Sequence, residues 1–110
     1  MPGVFVGNNV HIGENTVIHP NVTIYDNCEI GNNVIIHANT VLGADAFYYK
    51  NRPEGFDQLL STGKVVIEDR VHIGSSCTID RGVSGITRIG EGSKLDNHIQ
   101  IGHDTKVGKH

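Results

Sequence analysis

Aliphatic side chains recur at every sixth residue of this chain, and that period excludes most of the folds open to it. Val6, Ile12, Ile18, Ile24, Ile30, Ile36 and Leu42 keep one phase without a slip. The beat resumes at Ile67, Ile73 and Ile79, and after a four-residue insertion at Ile89, Leu95, Ile101 and Val107. A helical face would recur at three and four residues, and the face of an ordinary strand at two. The residue four places after each anchor is restricted as well: Val10, Thr16, Val22, Cys28, Val34, Thr40, Ala46, Val71, Cys77, Val83, Ser93 and Thr105 are small or β-branched, and Ile99 is the exception. Glycine follows the anchor eight times, at Gly7, Gly13, Gly31, Gly43, Gly74, Gly90, Gly102 and Gly108. This is a hexapeptide β-helix repeat.

Each hexad is expected to form one short strand and turn the chain by about a third of a circle, so roughly three hexads close a coil. The anchor and the residue four later point into a narrow lumen, whose corners suit small side chains. Gly-Asn-Asn runs such as Gly7-Asn8-Asn9 suit the turns, where both residue types tolerate positive φ. The expected fold is therefore all-β: a single left-handed parallel β-helix domain over residues 1–110, of between four and five coils. One loop is extruded over about 48–64, and a second departure lies around Ser84 to Thr87. Residues 18 apart should stack, with His37 over His19. Past the insertion the offset becomes 22, with Ile101 over Ile79, Gly102 over Asp80 and His103 over Arg81.

The repeat runs from Val6 to His110 without a cap, so the chain is expected to be a fragment of a longer protein. Cys28 and Cys77 both occupy the small inward position, where free cysteine packs as a small hydrophobe. No signal peptide or membrane span is legible, and with unpaired cysteines this points to the cytoplasm. Residues 1–49 carry no Lys or Arg, and all nine basic side chains fall in residues 50–110 against eight acidic ones. That balance is too weakly basic for a nucleic-acid binder. It suits docking of an acidic protein or a phosphate, or an unevenly solvated surface.

A β-helix is scaffold, so chemistry must come from outward residues. The seven histidines, His11, His19, His37, His72, His98, His103 and His110, all take outward positions. Surface roles suit His11, His72 and His110. The His19/His37 ladder offers only two metal ligands, so no metal site is expected. General-base catalysis centres on Leu95-Asp96-Asn97-His98-Ile99-Gln100-Ile101-Gly102-His103-Asp104, where an imidazole could take a proton from an attacking amine or hydroxyl. Asp96 or Asp104 could fix its tautomer; spacing alone does not choose between them. In the extruded loop, Phe47, Tyr48, Tyr49 and Phe56 sit beside Lys50 and Arg52, a set that suits stacking on a nucleotide or packing against a neighbouring subunit.

Four motifs carry a resemblance. They are Val22-Thr23-Ile24-Tyr25, Thr40-Val41-Leu42-Gly43-Ala44-Asp45-Ala46-Phe47, Cys77-Thr78-Ile79-Asp80-Arg81-Gly82, and Asp96-Asn97 through Ile101-Gly102-His103. In them, and in the placement of both insertions, the chain resembles the β-helix region of the UDP-3-O-(3-hydroxyacyl)glucosamine N-acyltransferases of lipid A synthesis. Ala46 departs from the glycine usual in that family, and the 48–64 loop has its own sequence. The resemblance implies transfer of a 3-hydroxyacyl group from acyl carrier protein to the 2-amino group of a UDP-linked, 3-O-acylated glucosamine. It implies His103 as general base, Asp96 and Asn97 as polar residues of the same site, no bound cofactor, and a homotrimer with sites between prisms. It also implies a uridine-binding domain before this segment, and further coils with a helix after it. Two alternatives stand beside it: another hexapeptide acyl- or acetyltransferase acting on a sugar amine or hydroxyl, and a non-catalytic trimerising β-helix.

Overall fold

The six-residue beat winds into a three-sided prism. The computed structural model describes residues 3–44, 49–52, 55–58, 63–82, 85–102 and 106–108. The first coil comprises β1 (Phe5–Val6), β2 (His11–Ile12) and β3 (Val17–Ile18), and the second β4 (Thr23–Ile24), β5 (Glu29–Ile30) and β6 (Ile35–Ile36). The third starts with β7 (Val41–Ala44), detours through β8 (Tyr49–Arg52) and β9 (Gly55–Gln58), and closes with β10 (Lys64–Ile67) and β11 (His72–Ile73). A fourth follows in β12 (Thr78–Asp80), β13 (Ile86–Ile89) and β14 (Lys94–Leu95), while β15 (Gln100–Ile101) and β16 (Lys106–Val107) begin a fifth. The result is a left-handed parallel β-helix of between four and five coils.

Register turns the anchors into three columns inside the lumen. The first sheet stacks Val6, Ile24, Leu42, Ile79 and Ile101. The second stacks Ile12, Ile30, Ile67, Ile89 and Val107. The third stacks Ile18, Ile36, Ile73 and Leu95. Burying such a side chain fully is worth about 1.5–3 kcal/mol, so the core is a file of nearest-neighbour contacts. Anchors in the middle coils are sealed from water, whereas Val6 and Ile12 in the first coil are 44% and 41% exposed, because one coil alone covers them. Cys28 and Cys77 are free and buried. Burial pushes the Cys28 thiol up to about 12, with Arg81 opposing, so it stays protonated filler.

The corners assign the turn residues differently from the sequence expectation. Positive φ belongs to the third residue after the anchor: Asn9, Asn15, Asn21, Asn27, Asn33, Asn39, Arg70, Ser76, His98 and Gly92. Asparagine fills that place in the first two coils because it visits the left-handed region at least cost among residues with a side chain. The glycine beside the anchor is there for room. A Cβ on Gly7, Gly13 or Gly31 would collide with Oδ1 of Asp26, Asn32 or Asp69 in the next coil. Those oxygens accept the N–H groups of Asn8, Glu14 and Asn32 at 2.7, 2.8 and 2.8 Å. Gly43 alone of the glycines after anchors needs its conformational freedom: its φ is +81°, and the register slips beside it, with Asp80 facing Ala44.

Two expectations about the interruptions change. The 48–64 loop contains an antiparallel hairpin, pairing Tyr49 with Gln58 through Arg52 with Gly55. The second departure is shorter than Ser84 to Thr87, because β13 already starts at Ile86 and Thr87 turns inward opposite Val65. Both are fully buried two residues before an anchor. Each interruption lies between a first-sheet strand and a second-sheet strand, so both leave the prism at one edge. The inward places expected for Ala46, Val83 and Thr105 lie outside the described residues.

Candidate functional site

Asp96 and Asn97 sit at the corner where β14 hands over to β15, and the Asx staple of the other corners recurs there. Asn97 Oδ1 accepts the Ser75 N–H at 2.8 Å, and the Asn97 N–H donates to Asp96 Oδ1 at 2.8 Å. The Cys77 thiol donates to the Asp96 carbonyl at 3.1 Å. Beneath them Gly74 must stay bare: a Cβ would lie 2.5 Å from Asn97 Oδ1 and 2.7 Å from the Asp96 carbonyl carbon. The inward hydroxyl of Thr40 ties the same corner by donating to the Gly74 carbonyl at 2.8 Å and accepting the Cys77 N–H at 3.2 Å. The Asp96 carboxylate is thus held in place yet exposed to solvent.

Asn97 consequently acts as a positioning residue for Asp96, with its amide oxygen committed to the corner. Asp26 and Asp69 perform the same task elsewhere with a carboxylate, so Asn97→Asp should melt near the parent temperature. Asn97→Ala should lose about 0.5–1.5 kcal/mol, the net worth of one hydrogen bond. Thermal melts of both variants decide the point, since equal loss in both would mean that the amide serves something other than the staple.

Asp96 and Asn97 also line a concavity of about 380 Å³ with His37, His72, Lys94 and Gly74. The sequence had placed His72 among surface histidines and had not picked out Lys94. The 22-residue offset puts Lys94 beside His72 on the third sheet, whereas the 37-residue step from Ile35 to His72 spans the extruded loop and follows from neither expected offset. His19 and His37 stack as expected, with ring centroids 4.8 Å apart and planes 14° from parallel. Ile101 lies over Ile79 as expected. His98 occupies the positive-φ corner place, its N–H donated to the Ser75 carbonyl at 2.9 Å. His103, Asp104 and His110 lie outside the described residues, as do the side chains of Tyr49, Lys50, Arg52 and Phe56. Among the described residues, no group of three His, Cys, Asp or Glu is arranged to hold a metal, and no helix is long and apolar enough to cross a membrane.

A larger concavity, about 550 Å³, lies on the second sheet below the extrusions and is lined by His11, Glu29 and Lys64 among others. Its charges answer each other. Lys64 donates to Glu29 and holds that carboxyl below its usual range. Nearby, Arg88 pairs with Glu68 at 3.0 Å and Arg70 with Glu91. The second-sheet surface is a satisfied ionic ladder, so the third-sheet notch has more unspent hydrogen-bonding capacity.

Comparison with known proteins converges on one kind of scaffold. Residues 9–44 match the family model described as bacterial transferase hexapeptide (six repeats), and residues 64–101 match the hexapeptide repeat of succinyl-transferase. A UDP-3-O-acylglucosamine N-acyltransferase from Anaeromyxobacter dehalogenans is 40% identical over 97% of this chain and 32% of its own length. Its namesake from Herminiimonas arsenicoxydans is 44% identical over 96% of this chain and 30% of its own length. The chain therefore spans about a third of the length of the curated relatives it matches. Among solved structures, the UDP-N-acetylglucosamine acyltransferase of Francisella novicida superposes with a TM-score of 0.83 at 29% identity, covering 99% of this chain and 46% of that one.

Proposed function

The chain belongs to the hexapeptide-repeat transferases, matching the β-helix of the UDP-3-O-acylglucosamine N-acyltransferases, and from that premise we propose that it forms the catalytic prism of such an enzyme. The observation that carries this reading is identity of 40% and 44% across nearly the whole chain to relatives of that name. In the proposed reaction, the 2-amino group of a UDP-linked, 3-O-acylated glucosamine attacks the thioester carbonyl of a 3-hydroxyacyl group carried on acyl carrier protein. His103 accepts the proton that the amine loses, and collapse of the tetrahedral adduct expels the carrier thiolate. The Asp96 carboxylate, which accepts the Asn97 N–H while the Cys77 thiol donates to the Asp96 main-chain carbonyl, supplies a hydrogen-bond acceptor at the site. No cofactor takes part, because the donor arrives already activated as a thioester. The open faces of a prism favour a homotrimer with the site between neighbouring prisms, working in the cytoplasm where such carriers are loaded.

The fit to the Francisella structure supports a second reading, an acyltransferase acting on a different UDP-linked amino sugar. Incubation of the full-length protein with 3-hydroxyacyl carrier protein or acetyl-CoA, and with UDP-3-O-acylglucosamine or UDP-N-acetylglucosamine, separates them by mass spectrometry. An amide product from the first donor and first acceptor is expected. Acylation of UDP-N-acetylglucosamine alone would select the second reading, and no transfer from either donor would leave the non-catalytic scaffold.

A further inference from the structure

One outward column on the third sheet lacks a side chain at a single level. The backbone bonds His19 N–H to Ile36 O, His37 N–H to Ile73 O and Gly74 N–H to Leu95 O place His19, His37, Gly74 and Asp96 in successive coils of that column. His37 lies on His19 as an imidazole stack, and the next level is Gly74, which the Asn97 staple keeps bare. With strands spaced by about 4.8 Å, the gap from His37 to Asp96 is about 10 Å between backbone levels, and outside the Asn97 Oδ1 that fills the place of a Gly74 Cβ it opens into the concavity of about 380 Å³. The upper face of the His37 imidazole closes the gap from below and Asp96 closes it from above. His72 and Lys94 are neighbours in register on the adjoining outward column. None of these four side chains enters an ion pair among the described residues, in contrast to the second sheet, where Glu29, Glu68 and Glu91 each hold a cation.

We propose that this notch is a subsite for a sugar phosphate, in which Lys94 and the His72 imidazole donate to the phosphate, the sugar ring lies on His37, and Asp96 accepts from its hydroxyls. The charges are arranged for a ligand with both characters. A free phosphate gains the Lys94 and His72 side but faces the Asp96 carboxylate, whereas a phosphate joined to a hydroxylated ring meets complementary groups on both sides. The identity of the sugar, an amino sugar carried on phosphate, rests on the acyltransferase reading above; the notch itself rests on the geometry.

Glucosamine 1-phosphate and inorganic phosphate are the probes, titrated into the full-length protein with assigned histidine ring signals. Glucosamine 1-phosphate should shift the His37 and His72 signals saturably and leave His11 and His98 in place. Lys94→Ala should weaken its binding about tenfold or more, as expected for loss of a hydrogen bond to a charged group. Asp96→Ala should weaken glucosamine 1-phosphate and leave inorganic phosphate unchanged or tighter. Equal shifts at all four histidines, no shifts at all, or affinity indifferent to Lys94→Ala would overturn the subsite. Intact acyl transfer with silent His37 and His72 signals sinks the subsite alone. Saturable binding at the notch without any acyl transfer sinks the acyltransferase reading and leaves the subsite standing.

Discussion

Alanine in place of His103 should lower the turnover of the full-length enzyme by roughly a hundredfold to ten-thousandfold, the usual worth of a positioned general base. The effect on KM should be small, because in the proposed mechanism the imidazole acts chiefly as the amine loses its proton in the transition state. His98 makes the comparison informative. It lies five residues away but belongs to a corner with φ of 60°, where asparagine serves in six other turns. His98→Asn therefore keeps the backbone and removes the imidazole, and its turnover should stay within a few-fold of the parent. Near-normal turnover of His103→Ala with the fold intact, or greater damage from His98→Asn, would move the base elsewhere.

A comparable loss, in stability rather than rate, should follow Ile36→Ala. Ile36 is fully buried in the third-sheet column between Ile18 and Ile73. Truncating a buried isoleucine costs about 2–5 kcal/mol when the cavity cannot collapse, and the coils above and below are pinned by backbone ladders. Ile12→Ala removes the same atoms from a side chain that is 41% exposed, so its cost should be well under half as large. Denaturant unfolding of the two variants tests the nearest-neighbour character of the core. Similar midpoints for both would mean that the prism unfolds through its first coil irrespective of what happens in the second.

The anchors were legible because the lumen imposes one chemical demand, bulk without polarity, at a fixed interval. The fourth positions were legible because the crowded corners admit small or β-branched side chains, down to Cys28 and Cys77. What escaped was set by contacts between coils. Glycine after the anchor looked like a turn residue, yet Gly7, Gly13, Gly31 and Gly74 are small because an Asx oxygen of the next coil occupies the space. Thr87 was hidden because the insertion broke the beat just before it. In the candidate site, Asp96 and Asn97 stood out through their motif, but their partners Ser75, Cys77 and Gly74 are 19 to 23 residues away and carry no motif of their own. His72 and Lys94 joined the notch only once the 22-residue offset was applied within the third sheet.

Both excursions from the prism leave at the edge between the first and second sheets, and this has a consequence for how such a chain can diversify. Detours there change contour length without touching the register that resumes after them: Val65 still meets Thr87, and Ile67 still lies between Ile30 and Ile89. The third sheet, with its notch and staples, contains no such detour and keeps a fixed pitch. The edge therefore behaves as a socket in which one appendage can be exchanged for another without re-solving the core. Recognition elements grafted at that socket can drift in length and composition, while the reading frame of the opposite face stays constant to the residue.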